Sequence, residues 1–322
     1  MQHPPAEKGQ RIPLFSYIFA LMAGILLIYG FIQFKNEYSA VLSLSPFNIY
    51  LGVNAQTLVR TGALFPPCMR ASLELTPSQS YPCANASNWV YEIPMTGGGT
   101  CQLENVCGLT PFKSAQAPDQ AFRFLTALLT SGGVFQYVIN MLFLLSYGAM
   151  VERQMGTLRY IYIFIVSGTF GYCFGSVFIH DNVALMGCLV PIFGLAGASL
   201  MDGFRSWQST LYPGSPILRF LLVIVLGVIV GYLPGYNNFC HLGGLMGGIL
   251  AQWSIWSSQA KFLEQRVRWL MMMAFRLIAL VALIVLFYEV LSNFYTNHSW
   301  SQGCNWCQFV SCLPFYNTCS SL

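Results

Sequence analysis

Charge is what this sequence has least of, since only 8% of its 322 residues are Asp, Glu, Lys or Arg. An ordinary soluble domain carries about 25% charged residues, so this chain has too little polar surface to fold as a water-soluble globule. Its 55% hydrophobic content equally excludes a disordered chain. The formal net charge of +4 comes from scattered basic residues, without the basic cluster of a nucleic-acid-binding surface. The composition therefore predicts an all-α polytopic membrane protein.

Apolar stretches of about 20 residues are long enough to cross the hydrocarbon core of a bilayer as helices. The sequence predicts seven spans, at residues 14–34, 125–150, 160–178, 185–201, 217–233, 239–256 and 275–294. The remaining segments are an N-terminus (1–13), a cysteine-rich loop (35–124), a short loop (257–274) and a cysteine-rich tail (295–322), and spans two to six form a core over residues 125–256. Several of these spans are short or interrupted by glycine, so their edges are approximate.

Lys and Arg in short loops indicate the orientation, because they concentrate on the cytosolic side of a membrane. With the N-terminus in the cytosol, eight basic residues fall on that side: Lys8, Arg11, Arg153, Arg159, Arg205, Lys261, Arg266 and Arg268. The cysteine-rich loop and tail then face the lumen or the cell exterior. We therefore expect a cytosolic N-terminus and a lumenal or extracellular C-terminus.

Cysteine usage points to the secretory pathway. Eight of the 11 cysteines fall on the predicted outer side: Cys68, Cys83, Cys101, Cys107, Cys304, Cys307, Cys312 and Cys319. An even set confined to one face predicts disulfides in an oxidising compartment. Two glycosylation sequons, at Asn85 and Asn297, lie on the same face. We expect a glycoprotein of the endoplasmic reticulum, Golgi or plasma membrane, with neither a metal nor an organic cofactor.

Burying polar side chains within membrane spans costs free energy, so their presence indicates a structural or functional role. Gln136 and Asn140 are four residues apart and share one helix face, and His241 opens the sixth span. In the predicted topology they converge with Leu189 on a shallow pocket near the outer ends of their spans. Five glycines are candidates for close helix packing: Gly194, Gly243, Gly244, Gly247 and Gly248. A hydrogen-bonded cluster that merely holds the bundle together, for example from Asn140 to His241, explains the same residues.

Three motifs resemble, in order, those of the rhomboid intramembrane serine proteases. They are Asn140-Met-Leu-Phe with Gly148 and Glu152, Ile192-Phe193-Gly194-Leu-Ala-Gly197-Ala198, and His241-Leu-Gly243-Gly244. The resemblance covers about Phe122 to Trp256. The loop sequences Arg60-Thr-Gly62-Ala and Pro67-Cys68-Met-Arg70, with the cysteine-rich loop and tail, resemble the fungal branch. The resemblance to the rhomboid family implies a rhomboid-like six-helix bundle with one additional C-terminal transmembrane helix.

The sequence departs from the family where catalysis needs it most. The register set by Ile192-Phe193-Gly194 puts Leu189 at the position of the family's nucleophilic serine and Gln136 at that of its first histidine. Asn140 matches the family's oxyanion site and His241 its base. Leucine has no oxygen to attack with and no proton to give, whereas the Gln136 amide can still donate a hydrogen bond. The resemblance therefore implies a pocket that binds client or substrate through Gln136, Asn140, Leu189 and His241 without cutting.

The interpretation favoured by the sequence is a pseudoprotease. It would bind transmembrane helices of client proteins beside the second and fifth spans and affect their trafficking, stability or degradation. One alternative is an active serine endopeptidase with His241 as base and a displaced nucleophile. The candidates for this nucleophile are Ser199 and Cys188. Ser199 lies ten residues past Leu189, ~15 Å along a helix, and Cys188 directly precedes Leu189. A seven-span receptor is a further alternative, which the distribution of Lys and Arg opposes. The partners we expect are the lipid bilayer and client helices, with no nucleic acid, and the oligomeric state stays open.

Overall fold

The computed structural model describes residues 12–43, 48–71, 81–82, 100–113, 117–179, 183–205, 214–255, 265–296 and 310. The candidate disulfide and glycosylation residues Cys83, Cys304, Cys307, Cys312, Cys319, Asn85 and Asn297 lie outside the described residues, as does the side chain of Cys101.

The described chain is a helical bundle with a small loop domain at one end. Its helices are α1 (Leu14–Tyr38), α2 (Ala55–Arg60), α3 (Leu103–Cys107), α4 (Arg123–Thr126), α5 (Val134–Phe143), α6 (Ala149–Met155), α7 (Thr157–Ser176), α8 (Leu189–Arg205), α9 (Gly214–Val230), α10 (Asn238–Ser254) and α11 (Gln265–Tyr295). A π-helical turn, Leu144–Gly148, joins α5 to α6. Two-residue strands β1 (Tyr81–Pro82) and β2 (Thr100–Cys101) pair antiparallel within the loop.

Three helical stretches are long and apolar enough to cross a membrane: Leu14–Glu37, Val134–Met155 and Trp269–Tyr295. Leu189–Phe204 and Gly214–Val230 are shorter apolar helices. Large apolar side chains stand exposed on α1, α9 and α11, as in Leu21 (65%), Ile229 (61%) and Phe275 (68%). Such surfaces are stable against lipid and not against water. The polytopic all-α fold is confirmed, whereas the count of seven spans stays a prediction.

The second predicted span begins later than the sequence indicates. Its stretch from residue 125 divides into α4 and a non-helical segment, and α5 begins only at Val134. The reason is a backbone contact with the loop, because Val134 and Phe135 donate their N–H groups to the carbonyls of Leu51 and Tyr50 (3.4 and 3.1 Å). A Cβ on Gly133 would lie 2.4 Å from the Tyr50 carbonyl oxygen. The loop thus takes the place of one or two helical turns.

The predicted starts of the fourth and seventh spans also differ from the helices of the structure. Residues 185–188, assigned to the fourth span, are not helical, and Leu185 pairs with Leu64 of the loop in an antiparallel bridge. This pairing delays α8 until Leu189. The last helix begins at Gln265, ten residues before its predicted start.

Helices α7, α8 and α10 pack backbone to backbone at the centre of the bundle. A Cβ on Gly244 would lie 2.3 Å from the Val190 carbonyl oxygen, and one on Gly248 would lie 2.1 Å from that of Gly194. On the α7 side, a Cβ on Gly243 would lie 2.7 Å from Phe174 and one on Gly247 would lie 3.0 Å from Phe170. These contacts leave no room for larger side chains, so they set the relative positions of the first turns of α8 and α10.

A buried arginine holds the loop domain together. The Arg123 guanidinium is fully buried and donates to the carbonyls of Val59, Ala63 and Cys107 at 2.6–2.8 Å and to the side chain of Gln120 at 2.8 Å. Burial lowers the pKa of Arg123 to about 9, so the group stays charged at neutral pH. Next to it the predicted cysteines Cys68 and Cys107 form a disulfide, which ties the α3 segment to the loop.

The loop also contacts the last helix. Arg70 donates a hydrogen bond to the Phe294 carbonyl, and its guanidinium carbon lies 4.4 Å from the centroid of the Phe294 ring. The same ring meets Phe124 edge to face at 5.4 Å. The C-terminal end of α11 is therefore fixed at the end of the bundle where α5, α8 and α10 begin, called the site end below.

At the opposite end a buried carboxylate caps the first helix. Glu152, 1% exposed, accepts the backbone N–H groups of Phe15 and Ser16 (both 2.9 Å) and the hydroxyls of Ser16 (2.7 Å) and Thr157 (3.0 Å). The first N–H groups of a helix have no partner within the helix, and a negative charge there is favoured by the helix dipole. Glu152 thereby joins α1 to the junction of α6 and α7.

We expect Glu152→Gln to lower the free energy of unfolding by about 2–4 kcal/mol, because charged hydrogen bonds to buried donors are lost. Glu37→Gln is the matched control, since Glu37 pairs with Arg60 at 2.8 Å on the exposed surface and should cost less than about 1 kcal/mol. Chemical unfolding in detergent measures both. Equal losses for the two variants would contradict the role of Glu152 as the cap of α1.

Candidate functional site

Leu189 is the first residue of α8 and is completely buried. The chain reaches it through Gly187, whose φ of +113° favours glycine. The Gly187 N–H donates to the Ala127 carbonyl (2.9 Å) and its carbonyl accepts from the Tyr172 hydroxyl (2.7 Å). The turn before α8 is thus fixed by hydrogen bonds from α7 and from the segment after α4, and Leu189 follows in a defined position.

His241 lies one turn into α10 and is 1% exposed. Its Nδ1 lies 3.3 Å from the Asn238 side-chain oxygen. Its ring stacks on that of Phe193 from α8, with centroids 4.5 Å apart and planes at 16°. In the described part of the chain, His241 Nε2 has no hydrogen-bond partner. The imidazole therefore presents one polar atom to the interior of the bundle.

Gln136 and Asn140 are buried on one face of α5. The Gln136 side-chain oxygen accepts the Gly132 N–H, and the Asn140 side-chain oxygen accepts the Tyr236 hydroxyl at 2.9 Å. Neither side-chain amide nitrogen has a partner among the described residues. The Asn140–His241 bond, the example given above of a cluster that holds the bundle together, is not found among the described residues. Asn140 accepts from Tyr236 instead, and His241 lies beside Asn238.

Tyr236 contacts both Asn140 and His241. Its hydroxyl bonds Asn140, and its ring centroid lies 6.2 Å from that of His241. A Cβ on Gly187, two residues before Leu189, would lie 3.0 Å from the Asn140 amide nitrogen. Two amide donors and an imidazole nitrogen without partners suit a carbonyl oxygen or a water molecule, because buried polar atoms are normally hydrogen-bonded. The polar atoms can hold such a group, but Leu189 supplies nothing that attacks it.

Neither of the two proposed substitute nucleophiles is hydrogen-bonded to His241 in the part of the chain that the structure describes. The Cys188 thiol points to the Asn140 backbone carbonyl at 3.9 Å, and the Ser199 hydroxyl is hydrogen-bonded to the phenol of Tyr147. In the described ranges, the recorded side-chain contacts of His241 are Asn238, Phe193 and Tyr236. Those ranges also hold no cluster of ligands for a metal ion.

Sequence reasoning missed three of the residues that shape the pocket. Asn237 accepts the N–H groups of Phe239 and Cys240 (2.7 and 3.3 Å) and so caps α10. The pair Asn237-Asn238 before an apolar stretch is a signal for such a cap. No sequence pattern indicates the contacts of Tyr236 and Phe193, because their partners lie on helices that are distant in the sequence.

Comparison with known proteins identifies the region that holds this site. A family model described as the rhomboid domain matches residues 118–258. The Rhomboid-type serine protease 2 of Emericella nidulans is 24% identical in an alignment that covers 97% of this chain and 73% of that protein. RHOMBOID-like protein 4 of Arabidopsis thaliana is 28% identical over 69% of this chain and 58% of its own length. Inactive rhomboid protein 1 of Rattus norvegicus is 28% identical over 66% of this chain.

The lengths of these relatives limit what they imply. The alignment spans 24% of the rat inactive rhomboid and 58% of the plant protein. The names include both a serine protease and an inactive protein, so the comparisons alone do not assign an activity. The geometry of the pocket must carry the functional argument.

Replacing Leu189 tests whether it occupies the position of the missing nucleophile. We expect Leu189→Ser to react with a fluorophosphonate probe through the new hydroxyl, and Leu189→Ser with His241→Ala to react at least ~100-fold more slowly, because the imidazole takes the proton. Mass spectrometry of the labelled peptide measures both. The unchanged protein is the control and should not be labelled. If Leu189→Ser is labelled at the same rate with and without His241, the assignment of Leu189 to the nucleophile position is contradicted.

Proposed function

Because residues 118–258 match the model of the rhomboid domain, we propose that this membrane protein is a pseudoprotease that binds transmembrane helices of client proteins without cleaving them. Binding alters the trafficking, stability or degradation of the clients. The observation that carries the proposal is the pocket: it keeps Gln136, Asn140 and His241 and has a buried leucine at the nucleophile position.

The unpartnered polar atoms support a binding role. A buried polar group without a partner costs about 1–3 kcal/mol, and three such nitrogens line the pocket, on Gln136, Asn140 and His241. A bundle that served stability alone would gain by replacing them with apolar side chains. Their presence fits a pocket whose occupant supplies hydrogen-bond acceptors, such as the carbonyls of a client helix that is locally unwound.

The surface beside the pocket suits a helical client. Helix α9 turns the apolar side chains of Leu222, Val225 and Ile229 outward, with exposures of 56–61%. On α5, Phe135, Val138 and Leu142 are likewise exposed. Apolar faces of this kind pack against lipid chains or against another helix. A client helix would enter from the bilayer between these two faces.

An active endopeptidase is the second candidate function. It is favoured by the fungal relative, which is named a rhomboid-type serine protease and whose alignment covers 97% of this chain. The positions of Cys188 and Ser199 count against it, since the recorded partners of their side chains are Asn140 and Tyr147 rather than His241. Catalysis by either residue would need a rearrangement that brings it to the imidazole.

The two functions differ in what happens to intact clients. Cells that contain the protein should show changed amounts of intact single-span membrane proteins relative to cells that lack it, with no rise in their truncated ectodomains. Quantitative proteomics of the membrane and medium fractions measures both quantities. Combined Gln136→Leu and Asn140→Leu should remove most of the change, because the pocket loses its two amide donors.

The matched control is Gln33→Leu, since Gln33 is an exposed amide on α1 that bonds Tyr29 at 2.8 Å, away from the pocket. Truncated ectodomains that appear with the unchanged protein and disappear with His241→Ala would overturn the proposal in favour of the endopeptidase.

A further inference from the structure

Helix α11 carries a single arginine within the stretch that is long and apolar enough to cross a membrane, Trp269–Tyr295. Arg276 lies seven residues after Trp269, ~10 Å along the helix. The side chains between them include Leu270 and Phe275, which are 59% and 68% exposed and are stable against lipid rather than water. A guanidinium stays charged in such surroundings. A charge at this depth indicates a functional site and calls for a partner.

The Arg276 guanidinium has no acidic partner in the part of the chain that the structure describes. Its Nη1 donates to the Met273 sulfur at 3.5 Å, and a thioether is a weak acceptor. Its Nε is buried and has no hydrogen-bond partner among the described residues. Glu289, the other charged residue of the apolar stretch, lies 13 residues further on, ~20 Å along the helix. An acid that pairs with Arg276 must therefore come from outside the described residues.

Arg276 lies at the edge of the face that α11 turns to the bundle. The buried side chains of that face recur at intervals of four and seven residues, at Ala279, Leu283, Val290 and Phe294. Beside it runs an exposed apolar row, called the α11 stripe below, whose members are 40–64% exposed: Met273, Leu277, Leu280 and Ile284. Their spacing of four, three and four residues is that of the seam between two packed helices. A helix packed on the α11 stripe therefore passes next to the guanidinium.

The depth of the guanidinium favours a carboxylate on a neighbouring helix over a lipid phosphate. The contact with Met273 places the group about one helical turn inside Trp269. Tryptophan is typical of the membrane interface, and lipid phosphates lie on the outer side of that interface. A Glu or Asp side chain on a second helix reaches the level of Met273 within the apolar layer. It can accept two parallel bonds from the Nε and Nη2 of Arg276, the geometry that arginine and carboxylate favour.

We infer that the α11 stripe binds a transmembrane helix of another membrane protein, one that carries a Glu or Asp opposite Arg276. The apolar side chains of that helix pack along the stripe, and its carboxylate supplies the acceptor that the Arg276 Nε lacks. Helix α11 lies outside residues 118–258, which match the rhomboid domain, and the pocket of Gln136, Asn140 and His241 is not part of this surface. The inference therefore goes beyond the proposed function and does not rest on it.

Binding of a synthetic transmembrane peptide tests the inference. The peptide has about 20 Leu and Ala residues with one Glu placed one helical turn from one end, and a matched peptide has Gln at that position. The full protein is reconstituted in phosphatidylcholine vesicles, and Förster transfer from labelled peptide to labelled protein measures the dissociation constant. We expect the Glu peptide to bind about tenfold more tightly than the Gln peptide, because only Glu makes charged hydrogen bonds to the guanidinium.

Variants of Arg276 identify the residue responsible. Arg276→Leu should bind the two peptides equally, and Arg276→Glu should prefer a third peptide that carries Arg at the same position. The reversed pair keeps the test sharp, because a variant that merely folds poorly does not gain a new preference. Arg153→Leu is the matched control, since Arg153 is an exposed arginine of α6, and it should keep the preference for Glu.

Three results would overturn the inference. The first is equal binding of the Glu and Gln peptides to the unchanged protein. The second is a preference for Glu that persists in Arg276→Leu, because the acid would then bind elsewhere. The third is a lipid partner: in vesicles that contain phosphatidylserine, a spin-labelled phosphatidylserine would be enriched around the unchanged protein and not around Arg276→Leu, with no preference for the Glu peptide.

The α11 stripe and the pocket can fail separately. The peptide assay reports on Arg276 and the α11 stripe, whereas the amounts of intact clients with Gln136→Leu and Asn140→Leu report on the pocket. Loss of the preference for Glu therefore removes the α11 surface and leaves the proposed function standing.

Discussion

The close contact between the backbones of α8 and α10 is the constraint on which the site depends. Gly244 lies under the Val190 carbonyl and Gly248 under that of Gly194, with no space for a Cβ at either position. Leu189 precedes the first of these contacts by one residue, and His241 precedes Gly244 by three. The relative placement of the two side chains is therefore set by the core of the bundle, and it does not depend on whether the pocket performs catalysis.

The same constraint holds with an apolar side chain at the first position of α8. A leucine at the start of α8 buries fully without disturbing the glycine contacts, and it adds apolar burial worth about 1.5–3 kcal/mol. The amides of Gln136 and Asn140 and the Nε2 of His241 stay without partners. The described site therefore has hydrogen-bonding capacity, and its Leu189 side chain carries no atom that could attack a carbonyl.

Much of this architecture could be predicted from the sequence. Low charge and long apolar stretches indicated a helical membrane bundle, and the ordered motifs located the helices that carry Asn140, Leu189 and His241. What the sequence did not reveal depends on partners far along the chain. Glu152 caps the first helix through the N–H of Ser16, 136 residues earlier, and Tyr236 bonds Asn140 across 96 residues. The start of α5 was misplaced because loop carbonyls near residue 50 replace its first helical bonds, and apolar periodicity does not report such contacts.

The most direct test of the central claim is a search for peptide-bond cleavage by the reconstituted protein. The protein is placed in proteoliposomes with a set of single-span substrates, and all products are identified by mass spectrometry. Because His241 Nε2 has no hydroxyl or thiol partner among the described residues, we expect no product above the level of a protein that lacks His241. The account would be contradicted by cleavage at a defined site within a substrate helix, if the refolded unchanged protein cleaves there and the His241→Ala variant does not.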